Sequence, residues 1–113
     1  MAIVNQQLTT TQLDMITVPA NKSYAITNIL VCNNGSATAS FDMHLIPQSS
    51  SLSNTVTRVI NNLELPAGET FTFDSEKIVL DVGDKISFVA EPDLGAPNAG
   101  LTNLSATVSY LEV

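Results

Sequence analysis

Polar and apolar residues alternate with a period of two in several short segments of the chain. Segment 69–74 places Phe71 and Phe73 on one face, and segment 85–90 does the same with Ile86, Phe88 and Ala90. Segments 37–45 and 101–113 follow the same pattern. Successive side chains of a strand point to opposite faces, so this period predicts strands that are buried on one side. Apolar residues at helical spacing do not recur over three turns in any segment.

Turn signals separate these segments at intervals of about 8–12 residues. Examples are Pro66-Ala67-Gly68, Asp81-Val82-Gly83-Asp84 and the Asn34-Gly35 dipeptide, which is favoured in tight hairpins. The pattern predicts an all-β protein: an antiparallel β-sandwich, jelly-roll-like, with about eight strands and no significant helix. The length predicts a single domain over residues 1–113, in which residues 1–11 form an arm or a first strand.

The segment from Ser23 to Asn33 is long and carries apolar residues on both faces. Counting by two assigns Tyr24, Ile26, Leu30 and Cys32 to one face and Ala25, Ile29 and Val31 to the other. A strand of this kind is central in its sheet or contacts a partner on its outer side. Ile29 and Val31 are therefore candidate partner contacts if they face outward.

Charged residues are scarce, and acids outnumber bases. Only 13% of the residues are charged, against about 25% in ordinary soluble domains, and the net charge is −7. An acidic chain lacks the basic residues that bind nucleic acid or an anionic membrane surface. Its polar surface consists largely of Ser, Thr and Asn, which protect weakly against association. Such a surface either stays monomeric or is covered in an assembly, and we expect a homo-oligomer.

Residues that could carry catalysis are few. His44 is the single histidine and shares a strand face with Asp42, but no second histidine or suitably spaced cysteine completes a zinc site. We expect His44 to be solvated or at an interface. Cys32 lies in an apolar strand, where a thiol is usually inert. The Gly-x-Ser-x-Gly motif of serine hydrolases is absent, so we expect no enzymatic activity and no cofactor.

Calcium is a weaker possibility. Four acidic residues lie near predicted loops, where calcium finds oxygen ligands: Asp81, Asp84, Glu91 and Asp93. They match no calcium-loop consensus, so we do not expect a metal site.

Several segments taken in order resemble a known class of protein. These are Ser23–Asn33, the strand that ends His44-Leu45-Ile46-Pro47, the turn Leu65–Thr70, segment 79–86, and the terminal Thr107–Glu112. Their order resembles small all-β virion structural proteins of tailed bacteriophages, over most of the chain. The resemblance implies an antiparallel sandwich that attaches to a capsid or tail as repeated copies. It provides no functional residues to carry over.

The resemblance and the composition together favour a capsid decoration or cement subunit. Its expected partners are copies of itself, with a trimer favoured, and the major capsid protein or another virion protein. The resemblance implies that the protein is located in the virion. We expect its synthesis in the host cytoplasm, because residues 1–8 lack the features of a signal peptide. The candidate interface residues are Ile3, Val4, Leu8 and Ile16, with Ile29 and Val31 added if they face outward.

Two alternatives remain open at the level of the sequence. One is a tail, baseplate or fibre-adaptor subunit, which differs from a decoration protein in its copy number. The other is a receptor- or glycan-binding β-sandwich module that would use the loops Gln48–Asn54 and Glu91–Gly100.

Overall fold

The computed structural model describes residues 2–73, 78–91 and 101–113, and Leu101 by its backbone only. Nine strands form: β1 (Ala2–Thr9), β2 (Leu13–Thr17), β3 (Tyr24–Asn33), β4 (Ala39–Ile46), β5 (Arg58–Leu65), β6 (Thr70–Phe73), β7 (Ile78–Leu80), β8 (Lys85–Ala90) and β9 (Leu101–Glu112). The predicted all-β class is confirmed. The described part of the chain contains no helix, and hence none long and apolar enough to span a membrane.

The strands form two antiparallel sheets that pack face to face as a β-sandwich. Sheet A has five strands in the order β1-β9-β3-β6, and β7 pairs with the same side of β3 as β6, further along the strand. Sheet B has four strands in the order β2-β8-β4-β5. Strands β4 and β5 are neighbours in one sheet, whereas most other connections cross between sheets, so the two layers are interlocked by the chain path.

The core lies between the inner faces of the two sheets. Its completely buried members are Leu8, Ile29, Val31, Leu104, Ala106 and Val108 from sheet A, and Phe41, Met43, Ile86 and Phe88 from sheet B. Phe41 meets Phe71 edge-to-face across the sandwich, with ring centroids 6.0 Å apart. The alternation predicted for segments 101–113 and 37–45 is confirmed, because Leu104, Ala106 and Val108 of β9 and Phe41 and Met43 of β4 all face the core.

The prediction for β3 is correct up to Ile26 and wrong beyond it. The pairing of β3 with β9 shifts register between Ile26 and Asn28. A bulge of this kind inserts one residue and reverses the alternation that follows. Ile29 and Val31 therefore face the core at 0% exposure, while Leu30 and Cys32 lie on the outer face. The condition for treating Ile29 and Val31 as partner contacts is not met.

The Asn34-Gly35 dipeptide does not form the predicted hairpin, because β3 and β4 belong to different sheets. The buried side chain of Asn33 explains the turn that forms instead. Its Nδ2 donates to the carbonyls of Ala37 at 2.9 Å and Leu65 at 2.8 Å, and its Oδ1 accepts the Gly35 amide at 2.9 Å. These bonds direct the chain out of sheet A toward sheet B.

Residues 1–11 were predicted to form either an arm or a first strand, and the structure shows a first strand. β1 pairs with β9 from Ala2 to Thr9, with a register irregularity after Gln7. Leu8 is completely buried, and Ile16 of β2 is 6% exposed in the same core. The N-terminal segment is thus integral to sheet A and is not a detached arm.

Candidate functional site

A row of polar side chains crosses the outer face of sheet B. The strand register places Asp14 opposite Ser87, Ser87 opposite His44, and His44 opposite Arg58. Ser87 Oγ donates to Asp14 Oδ1 at 2.6 Å, and Lys85 Nζ lies 3.7 Å from Asp14 Oδ2. Because the hydrogen bond from Ser87 favours the ionised carboxylate, the pKa of Asp14 is lowered from its usual value of 3.8.

The turn that precedes β5 covers the middle of this row. Thr57, the residue directly before β5, holds this turn in place. Its hydroxyl Oγ1 lies 2.8 Å from His44 Nδ1 and accepts the Ser53 amide at 2.9 Å. The Thr57 hydroxyl also donates to the Ser53 carbonyl at 2.9 Å. The carbonyl of Thr57 accepts the Leu45 amide at 3.0 Å. His44 is consequently 0% exposed, and the expectation of a solvated or interface histidine is wrong.

The hydrogen bonds of Thr57 define the state of the His44 ring. A hydroxyl has one hydrogen to donate, and here it goes to Ser53, so His44 Nδ1 is the donor to Thr57. In a neutral ring this leaves Nε2 without a hydrogen, and Nε2 has no hydrogen-bond partner among the described residues. Burial lowers the pKa of His44 below its usual 6.5; Asp42 opposes this shift and Arg58 adds to it. The ring is therefore neutral near pH 7.

Asp42, on the same strand face as His44, stabilises an irregular part of β5. Its Oδ1 accepts the Asn62 amide at 2.6 Å, and its Oδ2 lies 3.7 Å from Arg58 Nη1. Asn62 has a positive φ of 50°, next to a register shift in the β4–β5 pairing. The carboxylate thus satisfies a backbone amide that the bulge removes from the sheet ladder.

These residues hold one another in place. Ser87 and His44 are both at 0% exposure, and the Ser87 hydroxyl donates to Asp14, not to His44. A serine nucleophile needs the opposite arrangement, with its hydroxyl donating to the histidine that will accept the proton. In this geometry His44 fastens the covering turn to sheet B through Thr57, while Ser87 and Asp14 bond to each other.

The three calcium candidates that the structure describes, Asp81, Asp84 and Glu91, do not come together as a group. Asp84 accepts the Gln48 amide at 2.9 Å and the Asp81 amide at 3.0 Å, so one of its oxygens serves the loop after β4 and the other the turn before β8. Asp81 Oδ1 accepts the Ser23 hydroxyl at 2.9 Å. Glu91 follows the far end of β8, about 20 Å along the strand. Asp93 lies outside the described residues, as does loop segment 92–100, and the described residues include no cluster of three or more metal-binding side chains.

The outer face of sheet A has a different character, and we call it the neutral face. Its members follow from the β1–β9–β3–β6/β7 register: Ile3, Asn5, Gln7, Ala25, Asn28, Leu30, Cys32, Thr70, Thr72, Val79, Ser105, Thr107, Ser109 and Leu111. None of these outward positions is charged. Across all described strands of sheet A, the one charged residue is Glu112, near the end of β9, where it pairs with Lys22 at 2.8 Å.

Hydroxyl and amide groups on and beside the neutral face bond to one another. Thr27 Oγ1 lies 2.7 Å from Ser109 Oγ, and Asn34 Nδ2 donates to Ser105 Oγ at 3.1 Å. Three large apolar side chains are nevertheless exposed on this face: Ile3 at 67%, Val79 at 64% and Leu111 at 39%. The face therefore combines exposed apolar groups with hydroxyls that already have partners, although the buried Oδ1 of Asn28 on the same face has no hydrogen-bond partner among the described residues.

The structure separates the six predicted interface residues into two sets. Ile3 is exposed and Val4 is half-buried, whereas the other four, Leu8, Ile16, Ile29 and Val31, are core residues that no partner can contact. Val79, Leu111 and Leu30 also lie on the neutral face and were not among the predicted contacts. A signal was present for Leu111, which continues the polar positions Ser105, Thr107 and Ser109 on the outer side of β9.

Comparison with protein-family models gives no matching family, and comparison with curated proteins gives no matching sequence. The function is therefore inferred from the surfaces described above.

Proposed function

We propose that this chain is a non-enzymatic structural protein of a tailed-phage virion that attaches to the particle through the neutral face. A capsid decoration or cement subunit is the role we favour, with the major capsid protein or another virion protein as partner. The observation that carries the proposal is the absence of charge from the described outward positions of a five-stranded sheet, in a chain of net charge −7.

The energetics of burial support this assignment. Moving a charged side chain out of water costs several kcal/mol unless it is paired, whereas polar groups that already have hydrogen-bond partners avoid most of that cost. The neutral face carries hydroxyls that bond to neighbouring side chains and three exposed apolar residues. Of the two sheet faces that point away from the core, it is therefore the one that a partner can cover at the lower cost.

The chain path supports the resemblance to virion proteins. If β6 and β7 are counted as one interrupted position beside β3, the sheets read β1-β9-β3-β6/β7 and β2-β8-β4-β5. We infer that the sandwich is a jelly roll, the arrangement of eight strand positions found in many viral capsid domains and in lectins.

A glycan-binding role receives less support. Sugars are commonly held against exposed aromatic rings. The two tyrosines and four phenylalanines all lie within the described residues, and each of them is buried or half-buried. The Gln48–Asn54 loop contains no aromatic residue.

Reconstitution on particles that lack this protein tests the proposal. Thr107→Lys puts a charge in the middle of the neutral face, and we expect at least a tenfold loss of bound copies, equivalent to about 1.4 kcal/mol. Asn61→Lys adds the same charge to the exposed part of β5 in sheet B and is the matched control, with occupancy like that of the unmodified chain. Equal occupancy of the two variants would contradict attachment through the neutral face.

Copy number distinguishes the two virion roles. Quantitative mass spectrometry of purified particles should find hundreds of copies for a decoration subunit and a handful for a tail, baseplate or fibre-adaptor subunit. Particles without the chain would overturn both. The homo-oligomer remains a prediction: particle symmetry favours a trimer, and the mass of the free protein distinguishes a trimer from a dimer or a monomer.

A further inference from the structure

The edges of the two sheets differ in how they are protected against pairing with another strand. An edge strand exposes unpaired backbone N–H and C=O groups, and natural proteins block it with charge, bulges, proline or short length. β2 has five residues and includes Asp14, while β5 contains Arg58, Glu64 and two register shifts. β6 and β7 have only four and three residues.

β1 has none of these protections along most of its length. It has eight residues, contains no charged residue and no proline, and pairs regularly with β9 from Ala2 to Gln7. Among the described strands none pairs with its other side. Ile3 is 67% exposed beside this free edge, which we call the β1 edge.

We propose that the β1 edge pairs antiparallel with the β1 edge of a second copy, about a two-fold axis, so that two copies of sheet A join as one continuous sheet. The occupant is a second copy because an isologous contact places an uncharged strand against an uncharged strand. Such pairing rests on the proposed structural role, in which many copies lie side by side on one particle.

Charge and contact size determine how this dimer should behave. Two copies each carrying −7 repel at long range, and salt screens this repulsion without weakening backbone hydrogen bonds at an uncharged edge. A single strand pair is smaller than the roughly 1,200–2,000 Å² of a stable interface. We therefore expect a weak dimer in solution that becomes stronger as the salt concentration rises from about 20 mM to about 500 mM. On a particle, the proximity of attached copies should strengthen the same contact.

A pair of variants with equal net charge tests the contact. Asn5→Lys places an ammonium group near the middle of the regular stretch Ala2–Gln7 of β1 in both copies, and like charges on paired strands destabilise the pairing. Thr107 lies directly opposite Asn5 on β9, one strand further from the edge, so Thr107→Lys is the control. Sedimentation equilibrium from about 10 µM to about 1 mM should show dimers for the unmodified chain and for Thr107→Lys, and at least tenfold weaker association for Asn5→Lys.

Amide hydrogen exchange of the unmodified chain gives a second readout that requires no variant. Successive residues of a strand direct their amides to opposite sides. Alternate amides between Ala2 and Gln7 should therefore exchange more slowly as the protein concentration rises.

Each other outcome overturns edge pairing. A monomer throughout the concentration range, a trimer, equal weakening by both lysines, or exchange in β1 that does not change with concentration would each do so. Particles that carry many copies of a chain that stays monomeric in solution would overturn edge pairing while leaving the proposed function intact.

Discussion

His44 lies on an outer strand face that becomes interior because another part of the chain covers it. Strand alternation correctly places Asp42 and His44 opposite Phe41 and Met43, yet His44 is as buried as the core residues. The cover is the turn containing Ser53 and Thr57, held by hydrogen bonds to His44 and Leu45. Serine- and threonine-rich segments are typical of exposed loops, so the sequence contains no signal that this one would fold over the sheet.

The buried, neutral state of His44 predicts a pH-dependent stability. Its pKa is lower in the folded protein than the usual 6.5, so the unfolded chain binds more protons as the pH falls below that value. The free energy of unfolding should therefore be maintained above pH 6.5 and fall below it, by at most about 1.4 kcal/mol per pH unit. Urea denaturation between about pH 7.5 and pH 5 measures this slope.

The matched variant is His44→Asn, whose amide can still donate to Thr57 but does not titrate. It should lose the slope in this range. Asp14 does not interfere, because the stability that its lowered pKa contributes is present throughout this range and is lost only as the pH falls toward and below about 3.8. The same slope in His44→Asn and in the unmodified protein would show that His44 is not the responsible group.

The strands themselves are largely predictable from the sequence, and their faces are predictable wherever the pairing is regular. β9 and β8 follow strict alternation, and their inward residues are as expected. β3 departs from it because the bulge after Ile26 is caused by pairing with β9, a contact distant in sequence. The turn after β3 differs from the predicted hairpin for a similar reason. The Asn33 side chain donates to the carbonyl of Leu65, which lies 32 residues away in the sequence.

β1 provides a direct test of whether the N-terminal segment belongs to the folded domain. Leu8→Ala should lower the free energy of unfolding by about 3 kcal/mol, because it leaves a cavity at a completely buried position. Ile3→Ala on the same strand is the control and should cost less than about 0.5 kcal/mol, since Ile3 is exposed. Denaturation of the two variants measures the difference, and near-equal, small losses would mean that β1 behaves as a detachable arm.

Charge is distributed unevenly between the two layers of the molecule. Sheet B carries Asp14, Asp42, Arg58, Glu64 and Lys85 within its strands, several of them in ion pairs, whereas sheet A carries Glu112 alone among its described strand residues. The low overall charge is evident from the composition. The separation of charged residues into sheet B depends on the strand order, which the composition does not reveal. β1, β3 and β9 are far apart in the sequence and become neighbours only in the folded sheet.

The lone cysteine is placed to report on the central claim, that the neutral face is covered on the particle. Cys32 lies half-buried on that face, with its thiol 3.4 Å from Asn34 Oδ1. Maleimide labelling of Cys32, followed by mass spectrometry of its peptide, should be at least about tenfold slower for particle-bound protein than for dilute free protein, because a covered thiol is inaccessible to the reagent. Equal labelling rates in the two states would contradict attachment through the neutral face.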